Sequence, residues 1–483
     1  MTYNSISTDP EREPPVRLLR HLTGNRNEAD DLSEMIKEFA RECSRCSDSE
    51  WAANMGHLWD IATSPNMLAQ AIRDIDPRRL FGSVVDEMGE TDFMNSEKPG
   101  LRELSQALRE GTFDPGQYRS VKIPKIGKIG TRTIEVPDEY TRIVARSVSN
   151  TLLPIVDLSF KGWSFWSRPW ISLQHAMAVL GELTSHGYCY LVTADIADAF
   201  GVLPRKRAFE AVSRVINGSK ILGLVELLSD RSRKQGVPQG LSTSPLIMNT
   251  YLDQHLDTWW GKKHKKTKLL RYADDILIAC KTLEEAKLAY DALLKRMKDI
   301  SMPIKQDSMY PVFHPTTRNQ AVRWLGLTVC LKGRELQIAA GDQSWEKLEV
   351  SLENYRYEQE ADKAYISDQH AACIAYSWFE SKAIGFTQPS VSAAADRIRD
   401  TLDETGFDPD VIGDDEVQMR WHHGQTLWKE ARAQAREWVR AKRGALSLFN
   451  SGIEPMCQKT SVTSNSIDER ETAAPNHCCS WGA

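Results

Sequence analysis

The sequence LRYADDILIA occupies residues 270–279 and places two adjacent carboxylates, Asp274 and Asp275, inside an otherwise apolar run. This pattern predicts a short strand, a tight turn at the aspartates and a returning strand. Two anions at a turn between buried strands repel each other and resist desolvation, so they require a cation. The alternative is an ordinary surface turn, because Asp is common in turns for its own backbone hydrogen bonds. The rest of the chain decides between the two.

Composition sets the class of protein. A chain of 483 residues can bury a large core and hold two or three domains. Its 61 Lys and Arg face 66 Asp and Glu, a net charge of −5, so the bulk charge does not indicate a polyanion partner. Basic residues are nonetheless concentrated at residues 116–150, where seven stand against three acidic ones, and at residues 262–268. These segments suit a phosphate backbone, although charge runs are also typical of solvated faces.

Cysteine usage and hydropathy predict a cytoplasmic protein. The 9 cysteines follow no regular framework, and the CxxC pair Cys43 and Cys46 has no second pair at zinc-site spacing. Free thiols are therefore expected. The opening residues are polar and acidic, and no apolar run is long enough to span a bilayer, so no membrane partner is expected.

Four regions follow from the texture of the chain. Residues 1–110 predict a helical N-terminal extension, and residues 341–445 predict a second helical region. Residues 446–483 are a low-complexity tail for which we expect disorder. Strand and helix patterns alternate only in residues 111–340, which should therefore carry the chemistry.

A basic hairpin is predicted at residues 119–137. Apolar residues alternate there between Pro124 and Pro137, and the tip would present Lys125, Lys128 and Arg132. Such a mobile basic tip suits a triphosphate, because Arg and Lys neutralise phosphate oxygens as a loop closes. An exposed, soluble turn is the alternative.

Two further strand patterns and one loop complete the predicted antiparallel layer. Tyr190 to Ala194 is a buried-strand pattern that ends on Asp195, where α/β sheets place their chemistry. The Gly/Pro-punctuated loop 234–245 should feed a helix that reaches Trp259 or Trp260, and its flexible, hydrogen-bonding backbone suits a nucleotide. Residues 322–331 are expected to form one strand ending at a turn. The order predicts an α+β layer, a split-βαβ arrangement with helices on one face of the sheet.

Three carboxylates should converge at one point of this sheet. Neighbouring strands lie about 4.8 Å apart, so Asp195 can reach Asp274 and Asp275. Converging acids without basic partners indicate a divalent metal, and Mg²⁺ prefers one or two carboxylates plus substrate phosphates. Two such ions would clamp the attacking and leaving oxygens of a phosphoryl transfer.

With all these segments in view, the sequence resembles a reverse transcriptase. YADD at 272–275 matches the family's metal-binding box, and ADIADAF at 194–200 matches its first metal-binding motif. VPQGLSTSP at 237–245 matches the PQG…SP motif, residues 123–137 the fingers segment, and Trp324 to Gly326 the primer grip. The motifs come in family order, and their joint occurrence by chance is very improbable. The resemblance implies a right-hand polymerase of α+β class, with a helical thumb after the fingers and palm.

The resemblance also implies roles for individual residues. Asp195 and Asp274 would be catalytic and bind two Mg²⁺ ions, or Mn²⁺ in their place, with Asp275 supporting them. Phe200 matches the steric gate that excludes a ribose 2′-hydroxyl, which implies deoxynucleotide substrates. The residues implied to bind the incoming nucleotide are Lys125, Arg132, Phe200, Gln239 and Gly240. The family often has a lysine near Ser308, and Lys305 is the nearest one here, so the assignment of a proton donor stays open.

The implied partners are an RNA template, a DNA product and dNTPs, with a second copy of the chain left open. The PQG and YADD segments are most similar to group II intron enzymes, whereas the helical extensions resemble stand-alone bacterial reverse transcriptases of antiphage defence and abortive infection. The leading hypothesis is cDNA synthesis on a dedicated noncoding RNA in the bacterial cytoplasm. The alternatives are an intron-derived or CRISPR-associated enzyme, a template-independent or protein-primed polymerase, and a catalytically lapsed RNA-binding scaffold.

Overall fold

In the computed structural model of the protein, the described residues are 32–43, 55–75, 98–124, 131–161, 163–169, 171–216, 218–230, 232–305, 321–362 and 366–440. Among their helices, none is long and apolar enough to cross a membrane.

Among the described residues, four helices precede the first strand. They are α1 (Leu32–Cys43), α2 (Leu58–Ala62), α3 (Pro65–Asp74) and α4 (Lys98–Glu110). Ser64 begins α3, because its Oγ accepts a hydrogen bond from the Met67 amide at 3.1 Å and Pro65 suits the first helical position. The described part of the predicted extension thus contains helices, and its apolar residues share one core with the helices that follow the basic hairpin.

The predicted basic hairpin forms two antiparallel strands, β1 (Arg119–Pro124) and β2 (Thr131–Val136). The following helix, α5 (Glu139–Asp157), is capped by Asp138, whose Oδ1 accepts from the Thr141 amide at 2.8 Å. Ser147 of α5 donates to the Ala62 carbonyl at 2.6 Å, which fixes the N-terminal helices against this element.

A three-stranded antiparallel sheet follows, in the order β3-β5-β4. Its strands are β3 (Tyr190–Asp195), β4 (Lys268–Tyr272) and β5 (Asp275–Cys280). The helices around it are α6 (Leu173–Ser185), α7 (Ala199–Val202), α8 (Arg205–Ser213), α9 (Ser219–Leu228), α10 (Ser244–Leu252), α11 (Thr258–Lys263) and α12 (Leu283–Asp299). A π-helical segment, Asp253–Asp257, joins α10 to α11.

The sheet is covered on both faces, so the prediction of helices on one face was wrong. Residues of β5 alternate between two cores: Ile276 and Ile278 pack with α12 on one side, whereas Leu277 and Ala279 pack with α6 on the other. The central strand lacks a solvated face because its run of apolar residues is continuous.

The predicted strand at 322–331 was also wrong. Its residues form two strands, β6 (Val322–Trp324) and β7 (Leu327–Lys332), which pair with β8 (Glu335–Ala339) in a second sheet. Leu325 and Gly326 have φ values of 54° and 72°, so the chain reverses at that pair in a two-residue hairpin turn.

The C-terminal region is helical, as predicted. It comprises α13 (Asp342–Asp362), α14 (Asp368–Lys382), α15 (Val391–Glu404) and α16 (Asp414–Arg440), with a separate core of their own. The end of α16 returns to the central sheet, where Trp438 contacts Trp163 at 4.6 Å between ring centroids. The predicted tail at 446–483 lies outside the described residues.

Candidate active site

The three predicted aspartates meet at one end of the central sheet. Asp195 ends β3 and pairs in register with Asp275, the first residue of β5. Asp274 lies on the two-residue turn from β4, and Ala273 before it takes a positive φ of 56°. The Asp274 carbonyl accepts from the Ile196 amide at 3.2 Å, and its side chain hydrogen-bonds with that of Asp195. The ladder therefore brings two carboxyls into direct contact and places the third beside them.

The electrostatics of this cluster oppose its own negative charge. Burial, followed by the charge of Asp195, raises the pKa of Asp274 to about 6. Burial, followed by the charges of Asp274 and Asp195, raises the pKa of Asp275 to about 7. Without a cation, these carboxyl groups retain protons near neutral pH. A bound cation would favour their ionised forms and so stabilise the site.

Lys305 contacts this cluster, so the expectation that the three acids converge without a basic partner was wrong. The sequence had left the role of Lys305 open. Its Nζ forms an ion pair with Asp195, and its amide donates to the Asp195 carbonyl at 2.8 Å. Burial alone would lower the pKa of Lys305, but the hydrogen bond and charge of Asp195 raise it above its ordinary value. The sequence indicated Lys305 only by its position shortly after the long helix α12. The contact with Asp195 forms because the chain runs back past the end of β3 after that helix.

The donor set suits a hard divalent cation. Carboxylate oxygens are the ligands that Mg²⁺ prefers, and two of them at the turn leave the other positions to water and phosphate. Among the residues that the structure describes, no group of three or more His, Cys, Asp or Glu side chains is arranged so that it could hold a metal ion. A cation here would therefore depend on substrate and water oxygens as well.

A buried arginine, Arg271, supports the turn between β4 and β5 from the core. Arg271 of β4 is fully buried, and its guanidinium contacts both oxygens of Asp257, with Nη2 to Oδ2 at 2.6 Å. Its Nη1 donates to Asn249 Oδ1 at 2.9 Å and to the Ala273 carbonyl at 3.1 Å. The strained residue before Asp274 is thus fixed by a charge inside the core. Sequence reasoning missed Arg271, because nothing local distinguishes it from an exposed strand arginine.

The loop between α9 and α10 packs against the basic hairpin. The Gln239 carbonyl accepts from the Glu135 amide of β2 at 2.8 Å, and Arg233 forms an ion pair with Glu135. Gly240 has a φ of 115°, and a Cβ there would lie 2.9 Å from the Glu135 carbonyl oxygen. Only glycine fits this close approach without strain, which explains the residue type at the predicted nucleotide-binding position.

The chain is similar to known proteins in the segment that contains these residues. Residues 123–329 match the family model described as Reverse transcriptase (RNA-dependent DNA polymerase). These residues are a reverse transcriptase domain. Within it lie all three aspartates, Lys305, Arg271 and the loop at Gln239.

Part of this chain is similar in sequence to curated proteins. Protein YkfC of Escherichia coli (strain K12) is 26% identical over 235 residues, which cover 46% of this chain and 61% of that protein. The putative COX1/OXI3 intron 2 protein of Saccharomyces cerevisiae is 26% identical over 174 residues, covering 34% of this chain and 20% of that protein. The chain thus spans less than two thirds of the length of either relative.

A solved structure of telomerase from Candida tropicalis, in complex with the TWJ fragment of telomeric RNA, aligns with 72% of this chain and 68% of its own at 13% identity and a TM-score of 0.39. The predicted α+β class and right-hand architecture are confirmed. The assignment of β1 and β2 to fingers, of β3, β5 and β4 to a palm and of the helices from α13 onward to a thumb stays a prediction from the sequence.

The remaining predicted site residues lie around the central sheet and the basic hairpin. Phe200 lies on α7 directly after β3, partly buried, with its ring against that of Trp166 at 6.3 Å between centroids. Gln239 and Gly240 adjoin β2, the strand that contains Arg132. The side chain of Arg132 and the whole of Lys125 lie outside what the structure describes, so their contact with a triphosphate stays a prediction.

Proposed function

We propose that the protein is an RNA-directed DNA polymerase whose active site is built on Asp195, Asp274 and Asp275. The observation that carries the proposal is the pairing of Asp195 with Asp275, which brings Asp274 into hydrogen-bond contact with Asp195 inside a reverse transcriptase domain. The substrates would be dNTPs, a primer and an RNA template, and the product complementary DNA.

Asp195 and Asp274 would hold two Mg²⁺ ions, with Asp275 supporting them from behind. When bound, Mg²⁺ supplies the positive charge that stabilises the transferring phosphoryl group. The primer 3′-hydroxyl gives its proton to water, and its oxygen bonds to the α-phosphorus of the dNTP. The bond from the α-phosphorus to the bridging oxygen breaks, and pyrophosphate leaves. Lys305 orients Asp195 and adds a positive charge beside the site. Lys125 and Arg132 would neutralise the triphosphate, and Gln239 and Gly240 would line the base and sugar.

Primer extension with purified protein tests this function. Wild type should extend a DNA primer on an RNA template with dNTPs and Mg²⁺. Asp274→Asn should lower the rate by at least about a hundredfold, because the turn loses a charged metal ligand. Asp291→Asn, at an exposed position on α12, is the matched control and should extend normally. Equal extension by Asp274→Asn and wild type would refute the assignment.

We further propose that the template is a dedicated noncoding RNA and that synthesis serves antiphage defence. What supports this is the pair of helical regions on either side of the domain, α1–α4 and α13–α16, whose sequences resemble the extensions of stand-alone defence enzymes. An intron-derived enzyme is the second candidate, favoured by the similarity to the yeast intron protein. Plaque counts on cells that carry the natural locus decide between them: defence predicts fewer plaques with wild type than with Asp274→Asn, whereas an intron-derived role predicts equal counts and an intron RNA at the locus.

A further inference from the structure

Phe200 is held from two sides. Its carbonyl accepts from the Val237 amide at 3.0 Å, and a Cβ at Gly236 would lie 2.8 Å from the same oxygen. Its ring meets the edge of Trp166 at 6.3 Å between centroids, with an angle of 66° between the planes. The backbone of Phe200 is therefore held by the loop before α10, and its ring packs against that of Trp166.

Trp166 is itself fixed in the core. It is only 7% exposed, and its carbonyl accepts from Asn249 Nδ2 at 2.8 Å. Asn249 is fully buried on α10, and its Oδ1 accepts from Arg271 Nη1 at 2.9 Å. Because Arg271 also donates to the Ala273 carbonyl at 3.1 Å, one chain of buried contacts joins the turn of Asp274 to the ring of Phe200.

We propose that Trp166 is the positioning residue for sugar selection and acts through Phe200. Asn249 fixes the position of Trp166 relative to the turn of Asp274. The inference rests on the proposed function. A gate excludes a 2′-hydroxyl only while its ring cannot retreat, since the hydroxyl is no larger than a methyl group. Trp166 blocks that retreat because it lies in a well-packed core that relaxes little. A smaller side chain at 166 opens space behind the ring and admits a ribonucleotide.

The test compares the ratio of kcat/KM for dCTP over CTP in primer extension by the full-length protein. Trp166→Leu should lower this ratio by about tenfold or more, chiefly through a lower KM for CTP. Trp166→Phe keeps an aromatic ring and should lower it less. Trp163→Leu is the matched control, because Trp163 lies in the same segment but packs on Trp438 rather than on Phe200, and its ratio should equal that of wild type.

A double-mutant cycle separates positioning from general damage. Phe200→Ala should lower the ratio more than Trp166→Leu does, and adding Trp166→Leu to it should lower the ratio no further, because the second residue acts only through the first. An unchanged ratio in Trp166→Leu, with a lowered one in Phe200→Ala, overturns the inference and leaves the proposed function standing. An unchanged ratio in Phe200→Ala removes the gate itself, and absence of extension by wild type removes the proposed function.

Discussion

Replacing Arg271 by Met should destabilise the central sheet more than any exposed substitution. The change removes the cation that faces Asp257 and leaves Asn249, Ser164 and the Ala273 carbonyl without its hydrogen bonds. Both partners of the ion pair have fully buried side chains. Leaving one member of a buried ion pair uncompensated costs about 3–5 kcal/mol.

Hydrogen exchange followed by mass spectrometry measures the effect where it occurs, in peptides that cover β4 and β5. Arg271→Met should lower their opening free energy by about 3–5 kcal/mol, whereas Arg323→Met, at an exposed position on β6, should leave it unchanged. The double variant Arg271→Met with Asp257→Asn should recover part of the loss, because no bare charge is left in the core. The reasoning is refuted if Arg271→Met exchanges like wild type, or if the double variant loses the sum of the two single effects.

Three further predictions concern the site and its surroundings. In metal-free buffer, Asp274→Asn should have a higher Tm than wild type at pH 8 but not at pH 4. Burial raises the pKa of Asp274 in the folded protein to about 6, so the stability that its protonated form gives at low pH is lost as the pH rises through that value. Equal Tm shifts at both pH values would contradict this prediction. Burial, followed by the charge of Lys347, lowers the pKa of Lys382 to about 7 from 10.5, so the folded protein gains stability as the pH rises from 7 to 10; Lys382→Met should lose this gain, and a parallel pH profile for the variant would count against the prediction. Gly240→Ala should raise the KM for dNTPs, because its Cβ would press on the Glu135 carbonyl at a φ of 115°, whereas Gly261→Ala, with nothing within 4 Å, should behave as wild type; equal KM values in all three proteins would argue against the close approach.

Local pattern was enough to predict where the three aspartates of the candidate site lie. The turn at Asp274 was predicted because two charges interrupt an apolar run, and the position of Asp195 because a buried-strand pattern ends there. The spacing of neighbouring strands then predicted that the aspartates lie close together. The structure shows the register, which sets Asp195 opposite Asp275.

The parts that support the site from within were not predictable in this way. Arg271 finds Asp257 on a π-helical segment 14 positions earlier, and Trp166 meets Phe200 through a fold that no local window contains. The division of residues 322–331 into two strands depended on two left-handed residues, one of them a leucine, which rarely takes that conformation. Long-range packing decides these features, and periodicity carries no information about it.

The central claim is that the aspartate site makes DNA on an RNA partner in the cell. It is tested most directly by sequencing the nucleic acid that co-purifies with wild type and with Asp274→Asn, each produced from the natural locus. We predict one RNA enriched with both proteins, and DNA complementary to it with wild type only. Complementary DNA recovered equally with Asp274→Asn would contradict the account.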